Sequence, residues 1–214
     1  SGVPGGVHVS SEVDLAESLS RFLPWVGGWW LCCDQNEAVA ALLSWLRRTT
    51  GKDVIVHLDG GAPFSCESFV KEGKTRSIRQ VPGWNIDRIE AALTGGASKV
   101  AAIVIDPRMT GGGVTPPPQG MLQRISEICR HCNVMLVLDE RVAGFRVDRG
   151  GGAAAAGVVR GVAVYGGAFG GGFPIGVVAF REGLEDISSG RDRGLCAPHV
   201  VSMAAAEAVL SVLK

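Results

Sequence analysis

Val134-Met135-Leu136-Val137-Leu138-Asp139-Glu140 decides the architecture of this chain: a continuous apolar run that ends on two carboxylates. Alternating strands have one wet face, whereas an uninterrupted apolar run belongs to a strand covered on both faces, as in a parallel sheet sheathed by helices. Further strands are predicted over 29–33, 53–58, 77–81, 100–106, 162–166 and 175–180, several of them continuous apolar runs as well. Helical periodicity falls between them. Glu37 to Arg48 lines up Val39, Leu42, Leu43 and Leu46, while Pro118 to Cys132 lines up Leu122, Ile125, Ile128, Cys129 and Cys132. Asn85 to Leu93 repeats the pattern, and Val200 to Leu213 reads as an Ala-rich apolar helix.

Strand and helix in alternation predict an α/β fold: three αβα layers around a mainly parallel seven-stranded sheet with right-handed crossovers. The last two strands are separated by eight residues, too few for a helical crossover, so the final strand is expected to return antiparallel. No internal repeat is present. Gly150-Gly151-Gly152 followed by Ala153 to Ala156 reads as a loop entering a weak helix. The chain is read as a single domain over 1–214, with residues 1–14 as an N-terminal arm.

Composition narrows the partners. The 214 residues carry 21 basic and 21 acidic side chains, a difference of 21 − 21 = 0, so no broad positive field addresses nucleic acid or an anionic membrane. The apolar stretches are broken by glycine and by Pro174, which predicts no membrane span. Six cysteines, irregularly placed and mostly in apolar segments, predict buried thiols in a reducing compartment, the cytoplasm first and an organellar matrix second. The first residues lack the basic and apolar regions of a secretory signal.

Chemistry is sought where strands end, because open parallel sheets bind ligands beyond their carboxyl edge. Asp139, Glu140 and Asp106 stand at such ends, either facing a ligand or paired with a neighbouring arginine such as Arg141 or Arg146. Gly170 to Gly176 is glycine-rich but leads into a strand, which favours a tight turn over a phosphate cradle. Cys129 and Cys132 have half the spacing of a zinc site and no second pair, so packing is expected and no metal. His57, Asp59 and Ser65 lack the Gly-x-Ser-x-Gly elbow of a hydrolase.

The run Val137-Leu138-Asp139-Glu140-Arg141-Val142-Ala143-Gly144-Phe145-Arg146-Val147 resembles the Asp-Glu-Val-Met-Thr-Gly-Phe-Arg segment of class III aminotransferases, pyridoxal-phosphate enzymes of fold type I, within which glutamate-1-semialdehyde aminomutases are the nearest pattern. Gly170-Gly171-Gly172-Phe173-Pro174-Ile175-Gly176 is similar to the glycine run that follows that family's cofactor lysine. Ile105-Asp106-Pro107, Glu37-Ala38 with Thr50-Gly51-Lys52, and Ala197-Pro198-His199 resemble further family segments, so the likeness runs in order from Leu15 to Lys214.

The resemblance implies the large domain of that fold, without the family's C-terminal small domain. It also implies what is missing. Gly167 stands where the family has the lysine that forms an imine with the cofactor, and glycine has no amine. Asp34-Gln35-Asn36 replaces the family's phosphate-binding Ser-Gly-Thr, Asp59-Gly60-Gly61-Ala62 replaces its ring-stacking Tyr-His, and Leu195 replaces a threonine lent by the partner subunit. Asp139, the residue that in the family pairs with the pyridine nitrogen, is the one cofactor contact retained, and is expected to brace Arg146 or a backbone amide.

The expectation is a catalytically degenerate domain, with no catalytic residue and pyridoxal phosphate lost. It would serve as a homodimerising or protein-docking scaffold in a multidomain synthase or larger assembly, with the C-terminal helix and Trp25, Trp29, Trp30, Trp45 and Trp84 as sources of contact area or of core. The alternative is repurposed, cofactor-independent chemistry using Asp139, Glu140, Asp106 or His57 as acid or base.

Overall fold

The computed structural model describes residues 10–61, 78–158, 161–184 and 198–213. Seven strands form one sheet: β1 (Val26–Cys32), β2 (Val54–Leu58), β3 (Ile78–Val81), β4 (Val100–Ile105), β5 (Met135–Asp139), β6 (Val162–Gly166) and β7 (Gly176–Arg181). Their spatial order is β1-β7-β6-β5-β4-β2-β3. β3, β2, β4, β5 and β6 run parallel, and β7 is antiparallel to both of its neighbours, β6 and β1. The short return from β6 to β7 has the direction its length demands.

Six helices complete the layers: α1 (Ser10–Phe22), α2 (Gln35–Thr50), α3 (Ile86–Thr94), α4 (Met121–Cys132), the single turn α5 (Gly152–Ala155) and α6 (Val200–Val212). α2 covers one face. Its Leu42, Leu43, Trp45 and Leu46 pack on Ala102, Val104, Val137, Val162 and Val164. Trp30, Trp45 and Phe180 meet edge to face in that layer, with ring centroids 4.6–6.0 Å apart. The other face carries α3 and α4 over β2 to β4, and α1 with α6 over Leu138, Ala163, Tyr165, Val177 and Ala179. Val137 faces one layer and Leu138 the other, so the strand that looked fully apolar is buried on both sides.

Helix α1 differs from the expectation. An arm ending at residue 14 cuts through a helix that starts at Ser10. The signal is sparse: Leu15, Leu19 and Leu23 recur every four residues amid polar ones, and all three are fully buried. Strand β1 starts at Val26, three residues before the predicted Trp29, because Gly27 and Gly28 conceal the strand. A Cβ at Gly27 would lie 2.6 Å from the Glu182 backbone, so the edge pairing with β7 requires glycine there. Trp30 and Trp45 are core residues, while Trp25, Trp29 and Trp84 are half-buried. Ser65, Cys66, Leu195, Cys196 and Ala197 lie outside the described residues. Among the described residues no helix is long and apolar enough to cross a membrane.

Candidate functional site: the cleft beyond the sheet's carboxyl edge

Strand β5 delivers Asp139 to the carboxyl edge, 1% exposed. Two residues on, Arg141 folds back over it. Arg141 Nε donates to Asp139 Oδ1 at 2.8 Å and Nη2 to Oδ2 at 2.7 Å, a bidentate pair whose side chains are 4% and 0% exposed. The Arg141 amide also donates to Oδ1, at 3.2 Å. The brace on Asp139 is therefore Arg141 with its own amide. Arg146, the other brace expected from sequence, donates to the Val142 carbonyl at 2.7 Å.

Glu140 turns away from Asp139. Its carboxylate accepts from the amides of Gly152 and Ala153, each at 2.9 Å, and so caps the first turn of α5. A Cβ at Gly151 would come within 2.5 Å of that carboxylate, which is why glycine precedes this turn. Asp106 accepts from the Arg108 amide and the Thr110 amide, each at 2.9 Å, and from the Thr110 hydroxyl, closing the turn after β4. All three acid tips are buried and engaged with the protein's own donors.

His57, on β2, is 5% exposed. Burial lowers its pKa below the usual histidine value. Asp139, Asp106 and Asp59 oppose that shift, and Arg141 adds to it. The turn after β2 contains Gly61, where a Cβ would approach His57 Nε2 and Asp106 Cβ, each at 3.2 Å. The space at position 61 is therefore too tight for a larger residue unless His57 or Asp106 gives way.

The second wall is the start of α2. Asp34 is its N-cap, and Oδ1 accepts from the amides of Asn36 at 2.6 Å and Glu37 at 2.9 Å. Glu37 Oε2 reaches back to the Cys33 amide at 2.8 Å. Asp34 thus satisfies two first-turn donors from within the chain, while Glu37 holds the amide of the residue that precedes the N-cap.

Gly167 closes the cleft between these walls. It follows β6 with φ 58 and ψ −70, and a Cβ on it would lie 3.4 Å from Gln35 Oε1 and 3.5 Å from the Arg141 carbonyl oxygen. Arg141, paired with Asp139, and the N-terminus of α2 therefore both adjoin Gly167 at the carboxyl edge. Gly144 explains part of the adjoining motif: a Cβ there would collide with the Glu140 carbonyl and the Tyr165 ring. Phe145, at φ 61, packs its ring against Phe22, Tyr165 and Phe169.

These residues do not fit pyridoxal phosphate. Asp34 already accepts from the amides of Asn36 and Glu37 at the start of α2, Arg141 already holds both oxygens of Asp139, and position 167 has no amine. Nor do they outline a metal centre: among the described residues no three His, Cys, Asp or Glu side chains cluster suitably. Cys129 is 2% exposed in the core beneath α4. A separate cavity of about 380 Å³ lies between the loop after β4 and α5, lined by Arg108, Pro116, Pro118, Gly120, Gly152 and Ala155 among others.

Known proteins share both pattern and shape. The family model described as Aminotransferase class-III matches residues 40–214. Two glutamate-1-semialdehyde 2,1-aminomutases, from Ruminiclostridium cellulolyticum and Desulfotalea psychrophila, are 28% and 27% identical over the whole of this chain, which spans 54% and 55% of their lengths. Among solved structures, an omega-transaminase from Sphaerobacter thermophilus superposes with a TM-score of 0.83 at 25% identity, over 100% of this chain and 56% of the other. A glutamate-1-semialdehyde aminomutase from Pseudomonas aeruginosa gives 0.77 at 21% identity, over 97% and 52%. The chain spans about half the length of the relatives it matches.

Proposed function

The chain belongs to the class III aminotransferase family, and on that premise we propose that it is a non-catalytic form of the family's large domain that works as a self-associating scaffold within a larger synthase or assembly. The observation that carries this reading is the buried bidentate pair between Asp139 and Arg141, which occupies the one cofactor contact the sequence retains. Gly167, without an amine, supports it independently.

Self-association is supported by apolar side chains left outside the core near the cleft. Val142 and Val147 follow β5, Phe173 follows β6, and Val200 and Val201 begin α6, with exposures of 36–52%. Exposed aliphatic and aromatic side chains suit a protein contact better than a polar substrate. The repurposed-enzyme reading has less support, since Asp139, Glu140, Asp106 and His57 are all buried and the three acids hold the chain's own donors.

Two measurements test the proposal. Assays with pyridoxal phosphate and a panel of amino donors and carbonyl acceptors should give no turnover above a no-protein control; coenzyme-dependent transamination would overturn it. Sedimentation velocity at micromolar concentrations should give a dimer or larger species, and a strict monomer throughout would remove the self-association.

A further inference from the structure

We infer that this domain is its own ligand: Arg141 supplies the positive partner of Asp139 and Asp34 supplies the anion at the start of α2, so the cleft is electrostatically complete without a coenzyme and closed to one. The inference rests on the non-catalytic reading and goes further, because loss of an amine at position 167 alone would leave an empty but receptive cup.

A carboxylate buried as deeply as Asp139 must have a cation or several donors beside it, since an uncompensated charge in the interior is strongly destabilising. Here the cation is intramolecular and two residues away. Arg141 stands where the resembling family segment has valine, an apolar side chain that would leave Asp139 to seek its partner in the cleft. The guanidinium fork meets both carboxylate oxygens, so both are engaged. At the opposite wall, Asp34 Oδ1 satisfies two first-turn amides of α2 and places a fixed negative charge where a dianion would have to approach. Gly167 lies between the walls, within van der Waals reach of Gln35 and the Arg141 backbone for any added Cβ. The three departures act on three different parts of one ligand, and each is replaced by an internal contact or by backbone.

The test uses the 214-residue chain, its Arg141→Ala and Arg141→Lys variants and the double variant Asp139→Ala/Arg141→Ala. Wild-type melting temperature should not move with millimolar pyridoxal phosphate or pyridoxamine phosphate, and equilibrium dialysis should find no stoichiometric binding. Arg141→Ala should melt about 6–20 °C lower, the span expected for a stranded buried charge in a domain of this size. The double variant should recover at least half of that loss, and millimolar methylguanidinium should raise the melting temperature of Arg141→Ala but not that of the double variant. Arg141→Lys, which keeps the charge but not the fork, should fall between. If Arg141→Ala does not fold, folding of the double variant gives the same answer, and if neither folds the Lys variant decides: it must fold and lose stability. A one-to-one complex of wild type with either coenzyme, an Arg141→Ala protein as stable as wild type, or a double variant no better than the single would overturn the inference. A strict monomer would defeat the scaffold reading and leave this one standing.

Discussion

Returning a lysine to position 167 tests how many things separate this cleft from a working one. Gly167 sits at φ 58 and ψ −70, a γ-turn backbone with positive φ that side-chain-bearing residues rarely adopt. A Cβ itself fits, because its nearest neighbours would be 3.4 and 3.5 Å away. The cost of Gly167→Lys is therefore backbone strain, about 1–3 kcal/mol, equivalent to a fall in melting temperature of about 2–12 °C for a domain of this length. The variant should fold. It should nevertheless fail to hold pyridoxal phosphate, because Asp34 still caps α2 and Arg141 still holds Asp139. The assay is calorimetry for stability, followed by borohydride reduction in the presence of coenzyme and peptide mapping for a covalent adduct at residue 167. A near-stoichiometric adduct at that position would refute the reasoning, since it would mean that the missing amine alone kept the coenzyme out.

Three further outcomes follow from the same contacts. Asp34→Ala removes the carboxylate that caps two amides of α2 and should cost about 1 kcal/mol, read as a lower denaturation midpoint with unchanged slope. His57 has a lowered pKa in the fold, so the native state binds fewer protons than the unfolded chain below the usual histidine value of 6.5. Stability should accordingly rise with pH through that window and be lost on acidification, and His57→Gln should flatten the profile. The groups acting on His57 are Asp139, Arg141, Asp106 and Asp59, so measurements in the Arg141 variants should shift this dependence. Burial, with Cys132 as the lesser cause, pushes the Cys129 thiol up to about 12. Site-mapped alkylation near pH 8 should label the half-buried Cys33 and Cys132 well before Cys129, which should react only on unfolding.

Sequence-legible features were those with a local cause. The apolar run 134–138 announced a strand covered on both faces, and its neighbours Val137 and Leu138 do face opposite layers. The brevity of the β6–β7 return dictated an antiparallel pairing. Helix α1 is hard to see in the sequence because its fully buried stripe is only Leu15 and Leu19, continued by Leu23 just beyond the helix, too thin until their burial with the sheet and α6 is seen. The N-cap role of Asp34 is readable from its place just before the helical run, whereas the choice between Arg141 and Arg146 as the partner of Asp139 is not.

By itself the sequence determined the layer architecture, the position of the acid tips and the absence of an amine at 167, because periodicity, loop length and residue identity are properties of neighbouring positions. Only the tertiary structure decided what those acids hold. Asp139 takes Arg141, Glu140 takes the start of α5, and Asp106 takes its own turn. The reason is geometric: which donor reaches a buried carboxylate depends on how the chain turns after the strand and on what packs above it.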